Sequence, residues 1–269
     1  MPGGRLLPYL RSMRQPKPFF YQGQPQLGSA EALRFMCLSD GHLGQKDSMH
    51  PDHLETLEQA LLREKERMAF CVYNGDLVHD CPERLPEVAE LFRKQQVRLF
   101  ATRGNHDHCP EEDWKRIFGH GLNHRFQEGK TGFILLDSSD EQGSYRCVDR
   151  AFLAESLEAY RSLSAVFVVT HLAQGGQSYH SISCPDFLPL LQRFPNVKAV
   201  LHGHDHDMNG QVYCAGIPHL WSGHIGGSWG LPETIYREVI VEPDGLLISC
   251  IRALRTGEIL QGHVFRNRF

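Results

Sequence analysis

Histidine, aspartate and asparagine recur at short spacings in this sequence, each time where an apolar run ends. Asp40-Gly41-His42 follows Leu33 to Leu38, Gly75-Asp76 follows Ala69 to Tyr73, and Arg103-Gly104-Asn105-His106-Asp107 follows Val97 to Thr102. His171 follows Ala165 to Val169, and His202-Gly203-His204-Asp205-His206 follows Val197 to Leu201. Asparagine offers a neutral oxygen ligand, histidine a nitrogen that titrates near physiological pH, and aspartate a carboxylate that can bind a cation or orient a ring. Asp40 and His42 are two apart, so in extended backbone both project to one side. Taken singly, each cluster is equally compatible with a polar turn, an Asp-Gly turn or a helix cap.

The apolar runs supply the positioning. Leu33 to Leu38, Ala69 to Tyr73 and Val97 to Thr102 read as strands, separated by amphipathic helices over Asp52 to Met68 and Leu85 to Gln95. Strand, helix, strand, helix, strand predicts a parallel sheet whose carboxyl ends all deliver polar residues to one edge, where open α/β sheets bind ligands. Further on, Glu111 to Phe118, Phe152 to Leu163 and Phe187 to Phe194 read as helices, and His124 to Phe126 with Gly132 to Leu136 as a strand pair. Ala165 to Val169 and Val197 to Leu201 add two buried strands, Asn209-Gly210 signals a hairpin turn into Gln211 to Cys214, and three antiparallel strands close the chain at Tyr236 to Val241, Leu246 to Ile251 and Ile259 to Phe265. Mixed pairing of this kind predicts a second sheet of mixed direction. Residues 1–31, with five prolines up to Pro25, read as an N-terminal arm, partly disordered or docked through Phe19-Phe20-Tyr21; residues 32–269 read as a single domain.

With 269 residues, 41% of them hydrophobic, the chain can bury a substantial core. A net charge of −4 without blocks of like charge argues against general nucleic-acid or membrane-surface binding. Nothing approaches a membrane-spanning apolar run, and Leu6-Leu7-Pro8-Tyr9-Leu10 is too brief for a secretory signal. The eight cysteines form no Cys-x-x-Cys pair, and Cys37 and Cys71 lie within apolar runs, so reduced thiols and a cytoplasmic location are expected. The 16 histidines are the unusual feature, because several sit beside Asp and Gly at the ends of strands and not on helical faces.

Jointly the five clusters point to metal. Oxygen ligands mixed with imidazoles suit Mn²⁺, Fe or Zn²⁺ and suit Ca²⁺ poorly. Seven such side chains exceed what one tetrahedral ion needs, and a carboxylate shared by two ions places them roughly 3.5–4 Å apart, the arrangement used for displacement at phosphorus. The series Asp40-x-His42, Gly75-Asp76, Gly104-Asn105-His106-Asp107, His171 and Gly203-His204-x-His206 resembles, in order, the complete signature of the calcineurin-like metallophosphoesterase family. The resemblance implies a four-layer αββα sandwich of two mixed β-sheets flanked by helices, with a dinuclear metal centre at one edge. It implies Asp40, His42 and His206 on one ion, Asn105, His171 and His204 on the other, and Asp76 bridging both. It further implies a metal-bridging hydroxide as nucleophile, and His106 as a non-ligand that protonates the leaving group or stabilises the phosphoryl charge, with Asp107 orienting its ring.

Within the family the spacing is most similar to the bacterial cyclic-nucleotide phosphodiesterase group, so a small phosphodiester of nucleotide-like character is the expected substrate. A phosphomonoesterase, or a non-catalytic metal-binding scaffold of the same fold, are the alternatives, and a homo-oligomer is among the assemblies the sequence allows. His79 stands where purple acid phosphatases carry a metal-binding tyrosine, which sets that subgroup apart. His79, His108, His202 and His224 are expected to be supporting or surface histidines, and Arg103 a structural cation. The glycine-containing loop Leu172 to Cys184 and the segment Ser222 to Gly230, with Tyr179, His180 and His224, are expected to shape the substrate pocket.

Overall fold

Along Leu33–Leu38, Phe35 and Cys37 point to one side and Met36 and Leu38 to the other, and all four are buried. A strand apolar on both faces belongs inside a covered sheet. The computed structural model describes residues 27–265, so residues 1–26 of the expected arm, with Phe19-Phe20-Tyr21, lie outside the described residues. In chain order the elements are β1 (Leu33–Leu38), α1 (His53–Glu64), β2 (Phe70–Asn74), α2 (Leu85–Lys94), β3 (Leu99–Thr102), α3 (Glu111–Phe118), β4 (His124–Glu128), β5 (Thr131–Leu136), α4 (Arg150–Ala159), β6 (Ala165–Thr170), α5 (Phe187–Gln192), β7 (Val197–His202), β8 (Gln211–Cys214), β9 (Ile217–Trp221), β10 (Ile235–Val241), β11 (Leu247–Ala253) and β12 (Ile259–Phe265).

Two six-stranded mixed sheets form, in the orders β12-β11-β10-β1-β2-β3 and β4-β5-β6-β7-β9-β8. In the first, β1, β2 and β3 are parallel and β10 runs antiparallel to β1; in the second, β5, β6, β7 and β9 are parallel. Between the sheets lies an apolar layer of Phe35, Phe70, Val72, Phe133, Phe167, Leu201 and Val239, among others. The Phe35 ring meets Phe133 and Phe167 edge-on, at 5.1 and 5.4 Å between ring centres. The outer face of the first sheet packs on α1, α2 and α3 through Met36, Leu38, Tyr73, Leu61, Phe92 and Trp114, and that of the second on α4 and α5 through Ile134, Val168, Leu157 and Leu191. This is the four-layer αββα arrangement expected.

Local chemistry explains the helices. In α2, Leu85, Val88, Ala89 and Phe92 recur at helical spacing and are the buried positions, with Pro86 in the first turn. Asp149 caps α4 by accepting the Phe152 N–H, and α3 stops at left-handed Gly119, whose N–H reaches the Lys115 carbonyl. The helix expected over Asp52 to Met68 is α1 followed by a 3₁₀ turn at Lys65–Arg67. Two expectations are corrected. The β8 hairpin turns at Ala215-Gly216 (φ 51° and 73°) into the unforeseen strand β9, so Asn209-Gly210 precedes the hairpin and does not form its turn. Cys147 and Cys184, 37 residues apart, are joined in a disulfide, so the expectation of uniformly reduced cysteines fails for this pair, while the other six are free thiols. Among the described residues, no helix is long and apolar enough to cross a membrane.

Candidate metal centre

The parallel strands β1, β2, β3, β6 and β7 end at the same edge, and backbone bonds lock their terminal turns together. The Asp40 N–H donates to Gly75 O, the Gly41 and His42 N–H groups to Asp76 O, and the Gly203 N–H to His171 O. Asp40, His42, Asp76 and His204 all hold left-handed backbone, with φ of 58°, 47°, 52° and 66°. Such a conformation costs a non-glycine residue roughly 1–3 kcal/mol and persists where the surroundings dictate it. The glycines between them are required by close approach. A Cβ on Gly104 would sit 2.2 Å from Asp76 Oδ1, and one on Gly203 would sit 1.9 Å from Ser39 Oγ and 2.9 Å from Asp40 Oδ2.

Side chains from these turns converge. His206 Nε2 lies 3.2 Å from Asp40 Oδ1 and 3.0 Å from His42 Nε2, and His42 Nε2 lies 3.6 Å from Asp76 Oδ2. His171 Nε2 is 3.2 Å from Asp76 Oδ2 and 3.9 Å from Asp40 Oδ1. Asp40, His42 and His206 thus form one group of donor atoms and Asp76, His171 and His204 a second, each within 4.8 Å. The imidazoles are aimed from behind: the Nδ1–H of His171 donates to Asn74 O (2.7 Å) and that of His206 to Trp229 O (3.1 Å), which leaves Nε2 of the neutral ring as a bare donor atom. Ser39 Oγ and the His204 N–H hold Asp40 Oδ2, and the His106 N–H holds Asp76 Oδ1.

The two buried carboxylates stay ionised beside the histidines. Burial opposes ionisation of Asp40, yet the neighbouring His206 and His171 hold its carboxyl down to about 2; Asp76, equally buried, is held well below the usual carboxylate range by His171 and His42. Burial disfavours the charged form of His171 too, but Asp76 and Asp40 outweigh it and raise its pKa to about 10. His42 and His204, pushed down by burial to about 3 and about 4, are already in the deprotonated, ligating form. Three buried atoms of the candidate ligands, Asp40 Oδ1, Asn105 Oδ1 and His171 Nε2, have no hydrogen-bond partner. Buried polar atoms are normally paired, so orphaned oxygen and nitrogen donors on the strand-end turns that carry Asp40, Asn105 and His171 fit bound divalent ions.

His106 lies beside this cluster, its ring 5.0 Å from that of His42. The expectation that Asp107 orients that ring is corrected. Asp107 is fully buried and accepts the backbone N–H groups of Asp76, Leu77, Val78 and Gly104, so it ties the turn after β2 to the turn after β3. Burial and the Asp76 charge push its carboxyl up to about 7 against those donors. The ring is held instead by Asp80, whose Oδ1 lies 2.8 Å from His106 Nδ1 and 3.0 Å from His108 Nε2. Sequence reasoning missed Asp80, although it stands four residues beyond Asp76. His79 stacks on His106 (4.5 Å, 19°), and its Nδ1 faces that of His42 at 2.9 Å. His202 is buried against His219, and Arg103 is engaged by Asp137, Cys109 O and Ser139 O, so neither reaches the cluster. His224, expected at the pocket, is fully buried behind His206, with its nitrogens on Gly226 O and Leu231 O; His180 and Trp229 do stand at the cluster's rim.

The profile of the calcineurin-like phosphoesterase family matches residues 33–208, a span that contains all five clusters. No curated protein sequence matches the chain significantly. Among solved structures, a dimetal phosphatase from Danio rerio superposes with a TM-score of 0.72 at 14% identity, covering 88% of this chain and 99% of that one. GAP50, described as the anchor in the inner membrane complex of Plasmodium, gives 0.63 at 16% identity over 88% of this chain and 90% of its own. The purple acid phosphatase PPD1 from yellow lupin (Lupinus luteus) seeds gives 0.60 at 14% identity over 88% of this chain and 54% of its own. Identities this low establish likeness of fold, and the match over most of the chain establishes descent: this chain belongs to the calcineurin-like phosphoesterase family, the metal-dependent phosphoric ester hydrolases.

Proposed function

We propose that the chain hydrolyses phosphodiesters of nucleotide-like substrates, with Asp40, His42 and His206 holding one divalent ion, Asn105, His171 and His204 the other, and Asp76 shared between them. The observation that carries this reading is the close approach of His171 Nε2 to Asp76 Oδ2 and of His206 Nε2 to Asp40 Oδ1, each 3.2 Å, with Asp40 Oδ1, Asn105 Oδ1 and His171 Nε2 left without a hydrogen-bond partner. The mixed oxygen and imidazole set suits Mn²⁺, Fe or Zn²⁺. Such ions, when bound, supply Lewis acidity and lower the pKa of water. The protein's own residues do the rest. Asp80 accepts from His106 Nδ1, and a ring protonated at both nitrogens would hand its Nε2 proton to the departing oxygen. Asn74 O and Trp229 O hold the His171 and His206 rings in their ligating orientation. Arg103, the cation nearest the motif in sequence, is consumed by Asp137, and the phosphoryl group therefore gains no charge partner from it; a singly charged diester fits that better than a doubly charged monoester. An anchoring role, as described for GAP50, needs none of these donor atoms.

The purified protein with Mn²⁺ is expected to turn over bis-p-nitrophenyl phosphate faster than p-nitrophenyl phosphate, and Asp76→Ala to abolish both. Preference for the monoester reassigns the enzyme as a phosphomonoesterase. Turnover unaffected by Asp76→Ala removes the two-ion reading.

A further inference from the structure

Three of the large apolar side chains left exposed on this protein, Tyr145, Tyr179 and Trp229, gather beside the cluster, at 47%, 96% and 41% exposure. Trp229 lies flat on the candidate ligand His206, with ring centres 4.3 Å apart and planes 2° apart. His180 stands against Trp229 at 5.7 Å and edge-on to His204 at 5.8 Å, and Tyr179 stands edge-on to His180 at 4.9 Å. Tyr145 closes the line, its ring edge-on to His204 at 5.1 Å and its hydroxyl 3.2 Å from His204 Nε2. Rings from three separate loops therefore line one side of the candidate centre, while His106 and Asp80 occupy the His42 side.

Large aromatic side chains left in water beside a charged cluster forgo burial that the fold elsewhere exploits, and exposed apolar groups grouped in this way mark a ligand surface. The half-buried His180 side chain has no hydrogen-bond partner among the described residues, so its nitrogens remain available to a ligand. A flat face beside an unengaged imidazole and a phenol suits a planar ring that carries polar atoms, since stacking is tolerant of ring identity and polar edges add direction.

We propose that Trp229, His180, Tyr179 and Tyr145 form a recognition rim that binds the organic part of the substrate through a planar ring, making aryl or nucleobase-bearing phosphoesters the preferred class. The proposal rests on the phosphoesterase reading of the same site. Its test separates ring recognition from hydrolysis: phenylphosphonate and methylphosphonate are compared as competitive inhibitors of bis-p-nitrophenyl phosphate turnover. The wild type is expected to bind the phenyl compound about tenfold more tightly, and Trp229→Leu and His180→Leu to bring the two inhibition constants to near equality. Tyr179→Ala, at a position almost wholly exposed, cannot disturb folding and is expected to lower the ratio on its own. A ratio near one in the active wild type, or a high ratio untouched by all three variants, overturns the rim alone. Absence of turnover with any phosphoester overturns the underlying reading and the rim with it.

Discussion

Asp107 and His106 are neighbours in one turn with different loads. Asp107 accepts four backbone N–H groups, so Asp107→Ala leaves buried donors unpaired at a cost of roughly 1–3 kcal/mol for each group left unsatisfied. The expected outcome is a loss of at least about 3 kcal/mol in denaturant unfolding, with activity falling only because the fold does. His106 carries no such structural load: it is half-buried and its ring is held by Asp80. His106→Ala is therefore expected to keep two metal ions by elemental analysis while kcat drops by about 10²–10⁴-fold, the usual worth of a positioned proton donor. Asp80→Asn keeps the shape but replaces the carboxylate by an amide, and is expected to lower kcat by about 10–100-fold with KM little changed. A metal content that falls with either substitution assigns His106 or Asp80 to coordination instead.

At the scale of elements, the loops around the centre are held from outside it. The Cys147–Cys184 bond joins the segment that carries Tyr145 to the loop that carries Tyr179 and His180, across 37 residues. Loop-closure entropy for that span is worth about 4 kcal/mol, so a Cys147→Ser, Cys184→Ser double variant is expected to unfold at clearly lower denaturant than the oxidised protein, and reduction of the wild type to reproduce the shift. On the opposite side, Glu64 at the end of α1 accepts from Tyr236 of β10 at 2.8 Å, from Arg63 at 2.9 Å and from Arg67. Burial opposes its charge, but the Tyr236 hydroxyl and Arg67 prevail and hold its pKa below the ordinary value. A carboxyl depressed on folding adds stability above its unfolded pKa, about 4.3, and loses it as pH falls through the lower folded value. Glu64→Gln is expected to lower the melting temperature at neutral pH and to flatten its fall in acid. The Cys147–Cys184 and Glu64–Tyr236 tethers were not legible in the sequence, because each joins positions far apart along the chain. Strands were legible where branched and aromatic residues run unbroken into a polar turn, as in Ala165–Thr170. Strand β9 was not, since Pro218 and His219 sit in its middle, Pro218 paired only with the edge strand β8. The metal-ligand candidates could be found because strand ends are local in sequence; Asp80 could not, because its claim on His106 depends on how two turns fold together.

For the molecule as a whole, the two sheets meet the metal candidates as two halves of one clamp. Asp40, His42, Asp76 and Asn105 follow strands of the first sheet, and His171, His204 and His206 follow strands of the second. Asn74, which donates to Thr170 O and Leu201 O, and Arg103, paired with Asp137, already tie the sheets at this edge, and any cation held in common adds to these ties. Without it, the two buried carboxylates rely on protons borrowed by His171 and His206. A ligand that binds only the folded state stabilises it by RT ln(1 + [L]/Kd), about 2.7 kcal/mol at a hundredfold excess over Kd. Exhaustive chelation is therefore expected to abolish hydrolysis and to lower the melting temperature together, and Mn²⁺ or Zn²⁺ to restore both. The ion-dependent part of the stability should vanish in Asp76→Ala, because Asp76 is the carboxylate between the two groups of donors. A melting temperature indifferent to chelation in the active protein would mean that the clamp is closed by the protein alone, and that the ions serve the reaction without bridging the sheets.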